Sequence, residues 1–158
     1  MLWTTSSVWG KIIWTFLVSM VPVMELRAGL PIGITSGLPF PVAYCTAVLG
    51  NMLPVPFIIV FIRKVFIWLR ANWAWMNNVV TALEERASDK SAVIDKYGKW
   101  GLLLFVAIPA PGTGAWTGAL IAALLNMRVR QAVPVIFVGV CIAGLIMSAV
   151  TFGVIHLF

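Results

Sequence analysis

Long apolar runs separated by short breaks rich in proline and glycine dominate the chain. The four apolar segments lie at residues 12 to 24, 42 to 62, 100 to 125 and 132 to 158. A helix needs about 20 residues, at about 1.5 Å each, to cross the hydrocarbon layer of a membrane. Only the second and fourth segments pass this test cleanly, so we expect each of them to be a transmembrane helix.

The third apolar segment is long enough to span a membrane, but “IPAPGTGAW” interrupts its middle. Pro109 and Pro111 remove backbone donors, and Gly112 and Gly114 allow a tight reversal. Two half-helices of about ten residues each would reach about 15 Å, half of the membrane. The sequence therefore predicts a re-entrant hairpin, which enters and leaves the membrane on one face.

Basic residues on both sides of this segment support the hairpin. Lys96 and Lys99 precede it, and Arg128 and Arg130 follow it. A complete crossing would put the two pairs on opposite faces, against the preference for basic residues on the cytoplasmic side. A re-entrant hairpin puts all four on that side.

Residues 25 to 41 give a second, less apolar candidate for a re-entrant hairpin. Prolines and glycines alternate there and predict broken helix: Pro31, Pro39, Pro41, Gly29, Gly33 and Gly37. Non-helical backbone at membrane depth is tolerated only where protein or a water-filled cavity covers it. This segment is therefore expected to lie inside the protein.

The order of elements predicts one all-α integral membrane domain over residues 1–158, built as an inverted repeat of helix, re-entrant Pro/Gly hairpin and transmembrane helix. The first repeat covers 1–70, a cytoplasmic amphipathic linker helix covers 71–99, and the second repeat covers 100–158. With a cytoplasmic N-terminus, the two hairpins enter from opposite faces. Paired interrupted helices in opposite halves indicate a transport site near the middle of the membrane.

Composition supports this class. Hydrophobic residues make up 61% of the 158 and charged residues only 10%, against about a quarter in soluble domains. The mean hydropathy is +1.02. Most basic residues behind the net charge of +6 lie beside apolar runs, so they indicate topology rather than nucleic-acid binding. We expect a multi-pass protein of a prokaryotic plasma membrane.

Glu25 and Arg27 carry the candidate chemistry. About 21 Å of helix separates Lys11, at the predicted inner interface, from Glu25, which places this carboxylate below the outer surface. An ionisable group inside a membrane indicates function by default. One interpretation is a pair at the outer rim that only begins the hairpin. The other is a central cavity where Arg27 holds an anion and Glu25 exchanges a proton.

The second predicted hairpin offers complementary donors. Backbone N–H groups around Gly112 and Gly114, with the hydroxyls of Thr113 and Thr117, suit phosphate or carboxylate, although a kink for close helix packing is an equal alternative. Asn51 is either a contact between helices or a cavity donor. The complete set of candidate substrate- or ion-binding residues is Glu25, Arg27, Pro31, Gly33, Asn51, Pro109, Pro111, Gly112, Thr113, Gly114 and Thr117.

The chain resembles the small multi-drug export protein family over nearly its whole length, through “ELRAGLPIGI”, “GNMLPVP”, “YGKWGLLLFVAIPAPGTGAWTGALIAALL” and a glycine-containing last helix. Its organisation is similar to that of the wider DedA superfamily. That resemblance implies two oppositely oriented re-entrant hairpins, lipid movement between leaflets, and Glu25 as the acid of the first hairpin. The arginine pattern of the second hairpin in DedA proteins has no counterpart here, because no Arg lies between residues 100 and 127.

Three functions fit these residues. The first is a proton-coupled transporter of an amphipathic anion or lipid phosphate. The second is proton-coupled export of small cationic drugs or cations, with Glu25 as the counter-ion, and the third is a membrane scaffold without transport. The motifs of an enzyme, a metal site or a cofactor site are lacking. We expect no cofactor, and partners limited to the lipid bilayer, the substrate, protons and further copies in a homodimer or larger homo-oligomer.

Overall fold

The structure is a computed structural model that describes residues 7–72, 81–82, 98–110 and 112–157, and every regular element in these ranges is helical. This confirms the all-α class. The helices are α1 (Val8–Met20), α2 (Glu25–Thr35), α3 (Phe40–Met52), α4 (Pro54–Asn72), α5 (Lys99–Ala107), α6 (Ala115–Leu124) and α7 (Val129–Leu157).

Two helical stretches are long and apolar enough to cross a membrane. The first, Phe40–Val65, consists of α3 and most of α4, and the second, Val129–Val154, is most of α7. A turn at Leu53 separates α3 from α4. Pro54 and Pro56 occupy the first turn of α4, where a missing N–H breaks no bond within that helix. Both segments predicted to be transmembrane helices are therefore helical and long enough to span a membrane, the first with a turn at Leu53.

The predicted pair of half-helices in the third apolar segment is confirmed. Helix α5 has 9 residues and α6 has 10, and between them the described residues 108–110 and 112–114 are irregular. Gly112 has a φ of +82°, a conformation that residues with side chains rarely adopt. We call α5 and α6 the second hairpin and residues 108–114 the second turn. Pro111, a predicted site residue, lies outside the described residues.

The predicted break within residues 25–41 is confined to the second half of that segment. Residues 25–35 form helix α2 with Pro31 inside it, and the break lies at residues 36–39, where Gly37 has a φ of +85°. A further turn that the sequence did not predict, at residues 21–24 around Pro22, separates α1 from α2. Packing overrides propensity here, because Gly29 and Gly33 share one face of α2 and let it lie directly against α1. We call α1 and α2 the first hairpin and residues 21–24 the first turn.

The two hairpins meet at their turns and open toward opposite ends of the long helices. At one end, Lys11 of α1 lies beside Gly37, which follows α2. At the other end, the Arg63 guanidinium of α4 donates to the carbonyl oxygen of Met127, just before α7. Fully buried Leu30, Ile59 and other apolar residues fill the space between the helices.

The inverted membrane orientation of the two repeats and the domain boundaries stay predictions. The predicted linker helix over 71–99 falls largely outside the described residues, as does the N-terminal segment before residue 7.

Candidate functional site

Glu25 stands at the junction of the first turn and α2. Its backbone φ is +49°, in the left-handed region that a residue with a side chain rarely adopts. Such a conformation costs about 1–3 kcal/mol and is retained where the surrounding structure enforces it, often at functional sites. Its side chain is only 5% exposed. Local geometry thus turns a carboxylate inward at the end of the first hairpin.

The Glu25 carboxylate binds the N-terminus of the opposite hairpin's second helix. The backbone N–H of Trp116, the second residue of α6, donates to Glu25 Oε1 over 3.2 Å. The first N–H groups of a helix have no partner within it and carry partial positive charge, so a carboxylate satisfies them well. Glu25 therefore acts as a capping residue for α6, supplied from the other half of the chain.

Gly114 makes this approach possible. A Cβ at this position would lie 1.9 Å from Glu25 Oε2. Its φ of 170° is extended backbone that any residue adopts, so contact space rather than backbone conformation favours glycine here. The Gly-Thr-Gly sequence predicts a reversal of the chain, but its last glycine, Gly114, leaves space for the Glu25 carboxylate.

Arg27, two residues after Glu25, contacts the second turn directly. Its Nη2 donates to Thr113 Oγ1 over 2.8 Å and to the carbonyl oxygen of Ile108 over 3.4 Å. The guanidinium is half-buried. Both charged residues of α2 therefore bind the second hairpin, Glu25 at the N-terminus of α6 and Arg27 at the second turn.

Thr113 organises the second turn. Its hydroxyl accepts from the Ala110 N–H over 3.2 Å and lies 2.6 Å and 2.8 Å from the carbonyl oxygens of Ile108 and Ala110. One hydroxyl can donate to one of these carbonyl groups at a time while it accepts from Arg27. The turn is thus held by a side chain that also receives the charge of the first hairpin.

A third contact joins the two turns. The indole Nε1–H of Trp116 donates to the carbonyl oxygen of Met20, the last residue of α1, over 3.2 Å. Trp116 therefore uses its backbone against Glu25 and its side chain against the end of α1.

A cavity of about 500 Å³ lies between the two turns. We call it the inter-turn cavity. Its volume falls in the range of ligand pockets, and its walls mix apolar surface with a few polar groups, as such pockets do. The lining residues are Pro22, Val23, Glu25, Arg27, Pro109, Gly112, Thr113, Thr117 and Met147.

A much smaller space, the inner chamber of about 10 Å³, shares Glu25 and Arg27 with the inter-turn cavity. Asn51 of α3 also lines it and is 3% exposed. Gly114 lines the same chamber. Asn51, predicted as a contact between helices or a cavity donor, therefore lies beside the two charged residues.

Most of the predicted site residues come together in these two spaces, but two do not. Gly33 packs against Thr15 and Ala43, where an added Cβ would meet both at about 3 Å. Pro31 lies in the middle of α2, away from the residues that line either space. Gly33 therefore allows close packing of α2 on its neighbouring helices.

Sequence reasoning missed four residues of this region: Pro22, Val23, Trp116 and Met147. Pro22 could have been found as the break that ends the first apolar run. Trp116 follows Gly114 by two residues, at the start of a helix whose free N–H groups were expected to bind an anion. Met147 lies in the continuous apolar pattern of α7 and gives no signal. Among the described residues, no group of three His, Cys, Asp or Glu side chains could hold a metal ion.

Comparison with known proteins assigns the chain to a family. Searches of curated proteins and of solved structures found no match. The family model described as “Putative small multi-drug export protein” matches residues 25–146, well over half of the chain. The matched stretch begins at Glu25 and includes Arg27, Asn51 and the whole second hairpin. With its long apolar helices, this match shows that the chain is a membrane protein that belongs to the small multi-drug export protein family.

Proposed function

We propose that this protein is a proton-coupled membrane transporter whose inter-turn cavity binds an amphipathic anion or lipid phosphate. One observation carries the proposal. Glu25 and Arg27 both line a cavity of about 500 Å³. The negative charge of Glu25 faces the N-terminus of helix α6, whereas the positive charge of Arg27 does not face a helix N-terminus.

The charge balance of the cavity favours an anionic substrate. The N-terminus of α6 already compensates the Glu25 carboxylate, because aligned peptide dipoles place about half a positive charge there. Arg27 makes its two bonds to the second turn through Nη2 alone. A guanidinium carries five N–H donors in a fork that matches phosphate and carboxylate. Arg27 is therefore the group that meets the anion.

Proton coupling follows from competition at the N-terminus of α6. The charged carboxylate binds the Trp116 N–H more strongly than a protonated one would, because hydrogen bonds to ionised groups are the stronger. Protonation of Glu25 weakens this bond and frees the helix N-terminus for an anionic head group. Proton and substrate then bind together, and release of one favours release of the other.

The hydroxyls and apolar walls fit the other half of such a substrate. Thr117 of α6 adds a hydroxyl to the cavity wall, and Pro22, Val23 and Met147 provide apolar surface for a chain. We assign the protein to a prokaryotic plasma membrane, with its N-terminus and central linker cytoplasmic and its two hairpins re-entrant from opposite faces. A homodimer or larger homo-oligomer would shield the short helices from lipid.

Export of small cationic drugs is the second candidate, and the description of the family favours it. In that case Glu25 would leave the α6 N-terminus to bind the cation in exchange for protons. A scaffold without transport is the third candidate. The three differ in what the cavity binds.

The test is transport by purified protein in liposomes, with a polyprenyl phosphate, an alkyl phosphate, a zwitterionic lipid and an organic cation as substrates. The variants are Glu25→Gln and Arg27→Ala. Arg130→Ala removes an exposed positive charge at the start of α7 and serves as the matched control.

We expect Arg27→Ala to stop anion movement and Glu25→Gln to abolish its dependence on pH, while Arg130→Ala transports normally. Loss of cation movement alone, in Glu25→Gln, would favour drug export instead. Wild-type protein that assembles but moves none of the four would support the scaffold. Normal, pH-dependent transport in Glu25→Gln would exclude this residue from proton coupling.

A further inference from the structure

Asn51 is a buried polar residue that the protein leaves incompletely bonded. Its side chain is 3% exposed, and its Oδ1 has no hydrogen-bond partner among the described residues. Leaving such a group unbonded costs about 1–3 kcal/mol. An apolar side chain at this position of α3 would avoid that cost, so the amide requires a physical reason.

Three other buried polar side chains of the described helices bond to the backbone of their own helix. Ser19, Ser148 and Thr151 each donate to the carbonyl oxygen four residues earlier. Arg63 Nε also lacks a partner there, but the same guanidinium bonds the Met127 carbonyl oxygen, at the far end of α4. Asn51 is distinguished from these residues because it lines a space beside Glu25.

The inner chamber has the size of one water molecule. Its volume is about 10 Å³, and about 10–15 Å³ of such space, roughly one probe sphere, is what a single water needs. A buried water also needs two to four polar partners. Asn51 and Glu25, each with a polar side chain, line the chamber together with Gly114 and Ala115 at the start of α6. Size and chemistry therefore agree.

We propose that the inner chamber binds one ordered water that bridges the Asn51 side chain to the Glu25 carboxylate. Water suits both groups because it donates and accepts. A metal cation is disfavoured in the same space, since Arg27 also lines it and the N-terminus of α6 adds positive potential. The remaining lining side chains, Leu26, Val106, Val140 and Ala143, are apolar and offer no further oxygen ligands.

This water makes Asn51 a positioning residue for the proton of Glu25, an inference that rests on the proposed function. When Glu25 is ionised, the water donates one O–H to the carboxylate and the other to Asn51 Oδ1. When Glu25 is protonated, its O–H donates to the water, and the water still donates to Asn51 Oδ1. Asn51 Oδ1 therefore has a donor in both protonation states of Glu25.

Solid-state NMR of the full-length protein in lipid bilayers tests the inference directly. Magnetisation transferred from water is measured at the side chains of Asn51, Thr117 and Ser148. Thr117 lines the inter-turn cavity, whereas Ser148 is buried and bonded to its own helix. We expect transfer to Asn51 as fast as to Thr117 and several-fold faster than to Ser148. Transfer as slow as to Ser148 would overturn the inference.

A variant sharpens the measurement. Asn51→Leu should fill the chamber and slow the transfer of magnetisation from water to the Glu25 carboxyl carbon several-fold. Gln131→Leu, at an exposed site of α7, is the control and should leave this transfer rate unchanged. If Asn51→Leu does not fold, the wild-type measurement decides alone. If the NMR signals of Asn51 and Glu25 shift with sodium concentration, a cation and not a water occupies the chamber, and the proposal is contradicted.

The outcome is separable from that of the transport assay. If Asn51 receives no magnetisation from water but the protein moves anions, the inferred water is wrong and the proposed function stands. If Asn51 is hydrated but the protein moves no substrate, the water stands and the proposed function is wrong.

Discussion

The two hairpins meet at one site but are built differently. In the first hairpin, α1 and α2 pack closely on each other and on α3. Added Cβ atoms show how tight this packing is: at Gly29 one would lie 1.8 Å from Ser19 Oγ, and at Gly50 of α3 one would lie 2.5 Å from the Phe16 carbonyl oxygen.

The second hairpin has separated arms. Helix α5 packs mainly on α7, and α6 packs mainly on α4, with little contact between α5 and α6 themselves. Its turn is irregular at residues 108–110 and 112–114, and the Thr113 hydroxyl makes several of its hydrogen bonds. The first hairpin is thus a compact unit that carries the charges, whereas the second presents backbone groups and hydroxyls on arms that different long helices support.

Under the proposed function, this difference suggests different parts for the two hairpins in transport. Interdigitated small residues hold the first hairpin as one body, so its charges keep a fixed position. The second turn can change shape without breaking helix packing in the first. Rearrangement between inward- and outward-facing states is therefore expected to occur at the second turn.

The largest expected effect is where α3 packs on the first hairpin. Gly50→Ala should destabilise the protein by about 1–3 kcal/mol, because the added methyl group meets backbone that cannot rotate away. Thermal unfolding in detergent measures this change. Gly153→Ala, where no atom lies within 4 Å of an added Cβ, is the matched control and should be neutral or stabilising. Equal stability of both variants would contradict the tight packing.

The next effect tests the contact between hairpins. Gly114→Ala should displace the Glu25 carboxylate from the Trp116 N–H and slow transport. In a Glu25→Ala background the same change should cost little, because the clashing group is gone. The double-mutant cycle in stability should show a coupling of about 0.5–3 kcal/mol. Additive effects would mean that Gly114 and Glu25 do not meet.

A smaller effect separates the two hairpins by location. Thr113→Val should cost about 1–2 kcal/mol, because it leaves the Ala110 N–H and an Arg27 donor without their acceptor. Hydrogen exchange should rise at residues 108–110 and stay unchanged in α1 and α2. Thr113→Ser keeps the hydroxyl and should exchange like the wild type. Faster exchange in α1 would show that the hairpins do not respond separately.

The smallest effect concerns a proline that lies away from the site. Pro31→Ala restores a backbone donor within α2 and should leave transport unchanged, with stability equal or slightly raised. Transport assays with the anionic substrates, beside thermal unfolding, measure both. Loss of transport with normal stability would show that Pro31 contributes to substrate binding, as the sequence predicts.

Local signals were enough to predict the second hairpin and the long helices. Pro109 and the Gly112-Thr113-Gly114 sequence break an otherwise continuous apolar run, so the two half-helices follow from backbone chemistry alone. The inverted repeat also predicts that Glu25 and Arg27 lie near Thr113. In the structure Arg27 bonds Thr113, and all three residues line the inter-turn cavity.

The first hairpin could not be predicted in the same way. Residues 25–35 contain more prolines and glycines than residues 21–24, yet the helix forms in the former and the turn in the latter. Contact of Gly29 and Gly33 with α1 decides this, and it involves residues distant along the chain. Met147 likewise reaches the cavity only through the packing of α7.

The Glu25 cap on α6 makes each half of the chain depend on the other. If the polypeptide were cut between α4 and α5, the N-terminal fragment would hold a buried carboxylate without its donor, and the C-terminal fragment would hold donors without an acceptor. Neither fragment is then self-sufficient, and co-expression should restore the fold by complementation. Divergence of the two halves is constrained by this mutual requirement, since an acid lost from one leaves an uncapped helix in the other.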